Sequence, residues 1–289
     1  MREFELYICP TPLGNLADIT QRTLDVLRKA DVVYAEDTRV TGKLLSSYNI
    51  EKPLKRLDEY ELSRNVDAVI GVIKSGKVCA YCTDAGMPGI SDPGMRLVAA
   101  AQKHGIRYTV LPGPSAASVA FVASGFQATS YYFGGFFPRK QSEQDKLLKS
   151  LSQLNAALVF YESPRRVQSA IRVVAKHFPF RQVALCRELT KLHEEVLVLP
   201  AQEMFYALKE KEKLGNLKGE IVFVISPPLA QEQETDLAQI HKAARLRAEQ
   251  LVTQEQASHK DIVRILRNEF GIERNVAYDM VQNLKNKEF

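Results

Sequence analysis

The feature that most constrains this chain is a buried-strand pattern running straight into a stretch that neither helix nor strand tolerates. Val78-Cys79-Ala80-Tyr81-Cys82 is apolar throughout, and Thr83 to Gly94 then holds three glycines, two prolines and two aspartates in twelve residues. Glycine opens backbone conformations closed to other residues and lets a ligand approach the main chain, while proline fixes its own torsion and withholds a donor. A rigid loop after a buried strand suits the crevice of an open α/β sheet, which lies beyond the carboxyl ends of the strands. The alternative is a tight surface turn.

Two further stretches have the same character. Glu5 to Cys9 is a short strand, followed by Thr11-Pro12-Leu13-Gly14-Asn15-Leu16. A strand over Ile106 to Leu111 ends at Pro112-Gly113-Pro114-Ser115-Ala116, which opens a small-residue helix over 116–124. Small side chains there let backbone amides meet a ligand, and serve tight packing equally well. Helical periodicity after Asp18, in Val66, Val69, Ile70 and Ile73 and over 95–104, alternates with strands at 31–35 and 77–82 and predicts a mainly parallel sheet. One glycine in Pro12-Leu13-Gly14-Asn15 is too few for a dinucleotide fingerprint, which disfavours a nicotinamide enzyme. Glu36-Asp37-Thr38-Arg39 ends the second strand, and Asp37 and Thr38 there read equally well as a helix cap or as crevice residues.

From Tyr131 the pattern restarts. Tyr131 to Phe137 is an aromatic strand with a Gly134-Gly135 pair and a basic exit, Arg139-Lys140, suited to stacking on bases and touching phosphates, or to a buried strand with a solvated end. Strands at 156–161, 183–186 and 221–225 follow. Arg187 to Glu195 is too polar to bury cheaply and is either a solvated loop or a site. Residues 229–238 read as a Gln/Glu-rich linker, and helices follow near 239–253, 259–269 and 273–286. Ser258 and Asp261 form a capping pattern, and Gly271 occupies a helix-turn-helix-like turn.

At 289 residues the chain is long enough for two α/β domains and an appendage. No apolar run spans a membrane and the first residues carry no targeting pattern, so a cytoplasmic protein is expected. The net charge of +5 belongs to the main body: residues 230–289 hold nine Lys and Arg against ten Asp and Glu, the rest 30 against 24. A polyanionic partner therefore suits the body better than the terminal helices, which read as a packing, dimer or partner module. Cys79 and Cys82 have a redox or metal spacing, but in a strand they face opposite sides, so the four cysteines read as small buried hydrophobes.

With these motifs in order, the chain resembles the tetrapyrrole-methylase-like (class III) S-adenosylmethionine methyltransferases, and among them the branch that modifies small-subunit ribosomal RNA. The resemblance runs from residue 6 to 225 through Thr11-Pro-Leu-Gly-Asn-Leu, Glu36-Asp-Thr-Arg, Asp84-Ala-Gly, Ile90-Ser-Asp-Pro-Gly, Pro112-Gly-Pro-Ser-Ala, Gly135-Phe-Phe-Pro-Arg-Lys, Tyr161-Glu-Ser-Pro-Arg-Arg, Arg187-Glu-Leu-Thr-Lys, His193-Glu-Glu and Lys218-Gly-Glu. Met87 stands where the family usually has Thr, and Asp58-Glu59 where it has a His-Glu pair.

The resemblance implies an α/β fold of two αβα domains of the tetrapyrrole methylase type with a cleft between them, over 1–113 and 114–228, plus a small C-terminal helical domain over 229–289. It implies a homodimer, S-adenosylmethionine as cofactor, no metal and no membrane, and 2′-O-methylation of a cytidine ribose in the decoding region of 16S rRNA within the small ribosomal subunit. Cofactor contacts fall on Leu13, Gly14, Asp84, Gly86, Met87, Ser115, Ala116, Glu162 and Gly219. RNA contacts fall on Arg139, Lys140, Arg165 and Arg166. Methyl transfer to a ribose hydroxyl needs in-line positioning and gains from a base; the candidates are Asp37, Arg39, Lys191, His193 and Glu194. The rival readings are a tetrapyrrole C-methyltransferase on the same fold and a non-catalytic ribosome-binding factor.

Overall fold

A computed structural model describes residues 4–228, 230–253 and 258–285. Contacts divide the chain into two compact units, Met1–Pro227 and Pro228–Phe289.

The first unit opens with β1 (Leu6–Cys9), α1 (Gln21–Lys29), β2 (Val32–Ala35), α2 (Thr38–Ser47), β3 (Leu54–Arg56), α3 (Glu59–Lys74), β4 (Cys79–Cys82), α4 (Gly94–Lys103) and β5 (Tyr108–Val110). The strands form one wholly parallel sheet in the order β3-β2-β4-β1-β5. The near-continuous apolar character of the central strands β1, β2 and β4 follows from burial on both faces. Leu6, Ile8, Tyr34 and Tyr81 pack under α3 and α4, and Cys9, Val33, Ala80 and Cys82 under α1 and α2. Cys79 and Cys82 thus fall in cores on opposite faces, and all four cysteines are buried and free. The helix expected after Asp18 is preceded by a 3-10 turn, Leu16–Asp18, and starts beyond Thr20, whose side chain caps it by accepting from the Thr23 N–H. Edge strand β3 was not anticipated, because Leu54-Lys55-Arg56 carries charged side chains that an edge position tolerates.

The unit continues with α5 (Ala116–Ala123), β6 (Tyr131–Phe136), α6 (Gln141–Leu151), β7 (Ala157–Glu162), α7 (Pro164–His177), β8 (Gln182–Arg187), β9 (Glu195–Pro200), α8 (Ala201–Lys213) and β10 (Ile221–Ile225). The second sheet runs β6-β7-β10-β8-β9, and only β6 and β7 are parallel. The parallel alternation of the first sheet therefore does not extend here. Antiparallel β10 sets Ile221 opposite both Glu162 and Arg187, so the start of β10 lies at the edge where β7 and β8 end. Phe137, Phe160 and Phe223 centre the core on one face, with ring centroids 5.2 to 5.4 Å apart, and α5 covers the other.

The second unit holds α9 (Ala230–Thr253), α10 (His259–Phe270) and α11 (Arg274–Lys285). The stretch read as a linker is thus helical from Ala230. Gln, Glu, Leu and Ala are good helix formers, and without Gly or Pro nothing there stops the helix. The side chains of 229–240 lie outside the described residues. Ala244, Ala248, Ile262, Leu266, Ala277 and Val281 give this unit its own core. Ser258 caps α10 by accepting from the Asp261 N–H, and Gly271 ends it in the left-handed conformation.

Candidate active site

Four loops leave the carboxyl ends of the neighbouring strands β2, β4, β1 and β5. The loops after β1 and β4 are stitched together: Thr11 and Gly86 exchange both backbone hydrogen bonds at 3.0 Å, and Thr11 Oγ1 donates to the Thr83 carbonyl at 3.1 Å. The loop after β5 closes on the same point. A Cβ on Gly86 would stand 3.0 Å from Leu13 Cδ2 and 3.4 Å from the Pro114 carbonyl oxygen, and its φ of +80° suits glycine in any case. Asp92 braces the far end of the β4 loop, its Oδ1 accepting from the Gly89 and Gly94 N–H groups at 2.5 and 3.1 Å.

These loops and the edge of the second sheet enclose a cavity of about 440 Å³, within the range of roughly 300–1,000 Å³ usual for small-molecule sites. Leu13, Asp84, Gly86, Met87, Ser115 and Ala116 line it from one side, and Glu162, Ser163, Gly219 and Glu220 from the other. Phe136 reaches it through a bulge: β6 loses register between Phe133 and Phe136, Gly134 passes so close to Phe160 that a Cβ would stand 2.2 Å from its ring, and Gly135 has a φ of +67°. Phe136 is left 63% exposed while Phe137 is 1% exposed in the core.

The lining is acidic. Burial raises the Glu36 carboxyl, with repulsion from Asp84 and Asp92 adding to it; burial likewise raises Asp84, Asp92 and Glu162. Glu162 Oε2 lies 2.9 Å from Arg166 Nη2, yet it is buried without a well-oriented hydrogen bond. Among the described residues no Lys or Arg forms an ion pair with Glu36, Asp84 or Asp92. Glu36 and Asp92 are half-buried and Asp84 is exposed, and three carboxylates without an ion-pair partner favour a cationic ligand.

Of the proton-transfer candidates, Asp37 caps α2, accepting from the Arg39 N–H at 2.8 Å, and its side-chain hydrogen bonds to the Arg39 guanidinium hold the carboxyl far below the usual range. Its own N–H donates to Asp84 Oδ1 at 3.0 Å, so it positions the cavity wall. Lys191 Nζ bridges Glu188 and Glu220 at 2.9 and 3.0 Å, and its stem lies against Gly14. Burial alone would lower its pKa, but the two carboxylates outweigh that and raise it. Glu194 accepts from the Thr190 N–H at 2.6 Å, closing its own loop, and His193 is exposed beside it. None of Asp37, Arg39, Lys191, His193 and Glu194 lines the cavity.

Among the basic residues, Arg139, Lys140 and Arg165 are exposed, whereas Arg166 donates to the Phe137 and Pro138 carbonyls at 2.9 and 3.0 Å. Asp58 caps α3 and pairs with Arg56 Nη2 at 2.6 Å, so the departure at this position is a helix start. Sequence reasoning left Glu36, Asp92 and the rim pair Phe136 and Tyr161 out of the site. The two acids stood within recognised motifs, but the placement of Phe136 depends on the bulge.

The sequence profile of the tetrapyrrole (corrin/porphyrin) methylases matches residues 5–204. A ribosomal RNA small subunit methyltransferase I of Thermotoga maritima is 41% identical over 213 residues, 74% of this chain and 96% of the relative. Proteins of the same name from Coprothermobacter proteolyticus and Neisseria meningitidis serogroup B are 44% and 34% identical, over 77% and 98% of this chain and 97% and 94% of theirs. Among solved structures, a cobalt precorrin-4 methyltransferase matches with a TM-score of 0.58 at 16% identity, over 76% of this chain and 94% of that one. A uroporphyrin-III C-methyltransferase from Thermus thermophilus matches with 0.56 at 21%, over 76% and 93%. These two show the fold.

Proposed function

The chain belongs to the tetrapyrrole methylases, and within them to the ribosomal RNA small subunit methyltransferase I family; from that membership we propose that this S-adenosylmethionine-dependent rRNA methyltransferase acts on the 2′-hydroxyl of a cytidine in the decoding region of 16S rRNA. The observation that carries the reading is the convergence of three stiffened loops on one acidic cavity. When bound, S-adenosylmethionine would supply an electrophilic methyl group on a cationic sulfur; the sulfur would keep the C–S electron pair, and the ribose hydroxyl proton would pass to a base.

The residues of the cavity fit that ligand. Glu36, Asp84 and Asp92 favour its positive charge, and Glu162 Oε2 offers an acceptor lacking a partner of good geometry. Ser115 makes no side-chain cap on α5, so the helix start leaves backbone donors for a carboxylate. Phe136 and Tyr161 supply apolar wall beside the transfer. Of the acids, Glu36 and Asp84, whose carboxyls burial raises, suit taking a hydroxyl proton better than Asp37, which Arg39 holds ionised.

Arg139, Lys140 and Arg165 are the exposed cations proposed to meet RNA phosphates. A homodimer is proposed from the family membership. No helix among the described residues is long and apolar enough to cross a membrane, and a cytoplasmic site of action is proposed with the substrate.

The test is transfer from methyl-tritiated S-adenosylmethionine to intact small subunits beside naked RNA. Label in an alkali-resistant 2′-O-methylcytidine is expected. Label in a porphyrinoid, or in neither acceptor, contradicts the reading.

A further inference from the structure

A second cavity, of about 250 Å³, shares Thr83 and Asp84 with the first and is otherwise walled by the β1 loop and α2. We propose that it is the acceptor subsite, taking the one flipped-out nucleoside whose ribose hydroxyl receives the methyl group. This rests on the reading of the chain as an RNA 2′-O-methyltransferase and adds where the target sits.

The shared wall is the first reason. In-line transfer requires the acceptor oxygen next to the donor's methyl group, and only Thr83 and Asp84 stand in both linings. A base within a folded RNA must leave its stack to reach such a place, and enzymes that work on single nucleotides hold the extruded base between apolar or aromatic side chains. Pro12, Leu16, Val40 and Leu44 provide apolar walls here. Leu16 and Val40 are also 48% and 42% exposed, so covering them with a base gains burial that the protein alone does not achieve.

The second reason is Thr41. It lines this cavity, is 1% exposed, and its Oγ1 is buried with no hydrogen-bond partner. A buried hydroxyl without a partner is costly and calls for a cause; a polar edge of the nucleoside supplies one. Exposed Lys43 lines the same cavity and suits the flanking phosphate.

The experiment compares Val40→Trp, which fills the cavity, and Thr41→Val, which removes only the hydroxyl, in the tritium assay on small subunits. S-adenosylmethionine binding is followed in parallel by thermal shift. Both variants are expected to lower kcat/KM for the subunit by about tenfold or more, with the ligand-induced rise in Tm kept. Thr41→Val is further expected to hold or raise the Tm of the free protein, an outcome a merely structural hydroxyl would not give alongside lost activity. If Val40→Trp does not fold, the isosteric Thr41→Val decides alone. Parental activity in the folded variants overturns the subsite while leaving the function standing, and so does a loss that follows weakened cofactor binding. A parent protein that labels no RNA overturns both.

Discussion

Asp84 borders both cavities, receives the Asp37 N–H and carries a carboxyl that burial pushes up. With Glu36 and Asp92 it makes a cluster that is expensive to ionise in the folded chain. The cost is absent at low pH, where folded and unfolded chains are both protonated, and fully present above the raised folded pKa values, so stability falls as pH rises through that window. A bound cation relieves the cost. Glu36→Gln should therefore raise the ligand-free Tm by about 1–3 °C and weaken S-adenosylmethionine by about fivefold, the value of a partly screened charge contact near 1 kcal/mol. Thermal melts and a binding titration check both, and the parent's ligand-induced stabilisation should shrink as pH falls through the carboxylate range. His193→Ala, on an exposed loop outside both cavities, is expected to leave turnover and cofactor affinity near the parental values; a loss of turnover of about tenfold in steady-state kinetics would bring that loop back into the site. At this scale Asp84 was legible as a site acid, whereas Glu36 and Asp92 were not, because a carboxylate in a strand-end motif can serve a cap as readily as a cavity. The commitment of Asp37 to its cap and to Arg39 was left even with a site role, because either use fits the same letters.

Among elements, the parallel first sheet was readable because its strands and helices alternate and its central strands β1, β2 and β4 are apolar. The second sheet was not. β7, β8 and β10 are buried on both faces whichever way they run, so their letters carry no direction, and edge strands β3 and β9 are too mixed to stand out. That missing direction matters to the site, because antiparallel β10 is what brings Gly219 and Glu220 to the exits of β7 and β8. Gly219 has a φ of +91°, and a Cβ there would stand 2.3 Å from Glu188 Oε1. Gly219→Ala should cost about 1–3 kcal/mol in chemical denaturation and weaken the cofactor, because it displaces the Glu188 carboxylate that pairs with Lys191. An unchanged denaturation midpoint would show that this corner relaxes freely.

For the whole molecule, the described residues that line the cofactor cavity all precede Pro228, and the terminal helices have a core of their own. A chain ending at residue 228 should keep the S-adenosylmethionine-induced rise in Tm; its loss would mean that the helical unit contributes to binding. The most direct measurement is a calorimetric titration of S-adenosylmethionine into the parent protein and Asp84→Arg, which sets a cation where the cavity has its shared acid. Saturable binding of one ligand per chain, lost in the variant while its unliganded melt stays cooperative, is the result this account predicts. No heat of binding in the parent, or equal affinity in the variant, would contradict the claim that the loops after β1, β4 and β5 form a cradle for a cationic methyl donor.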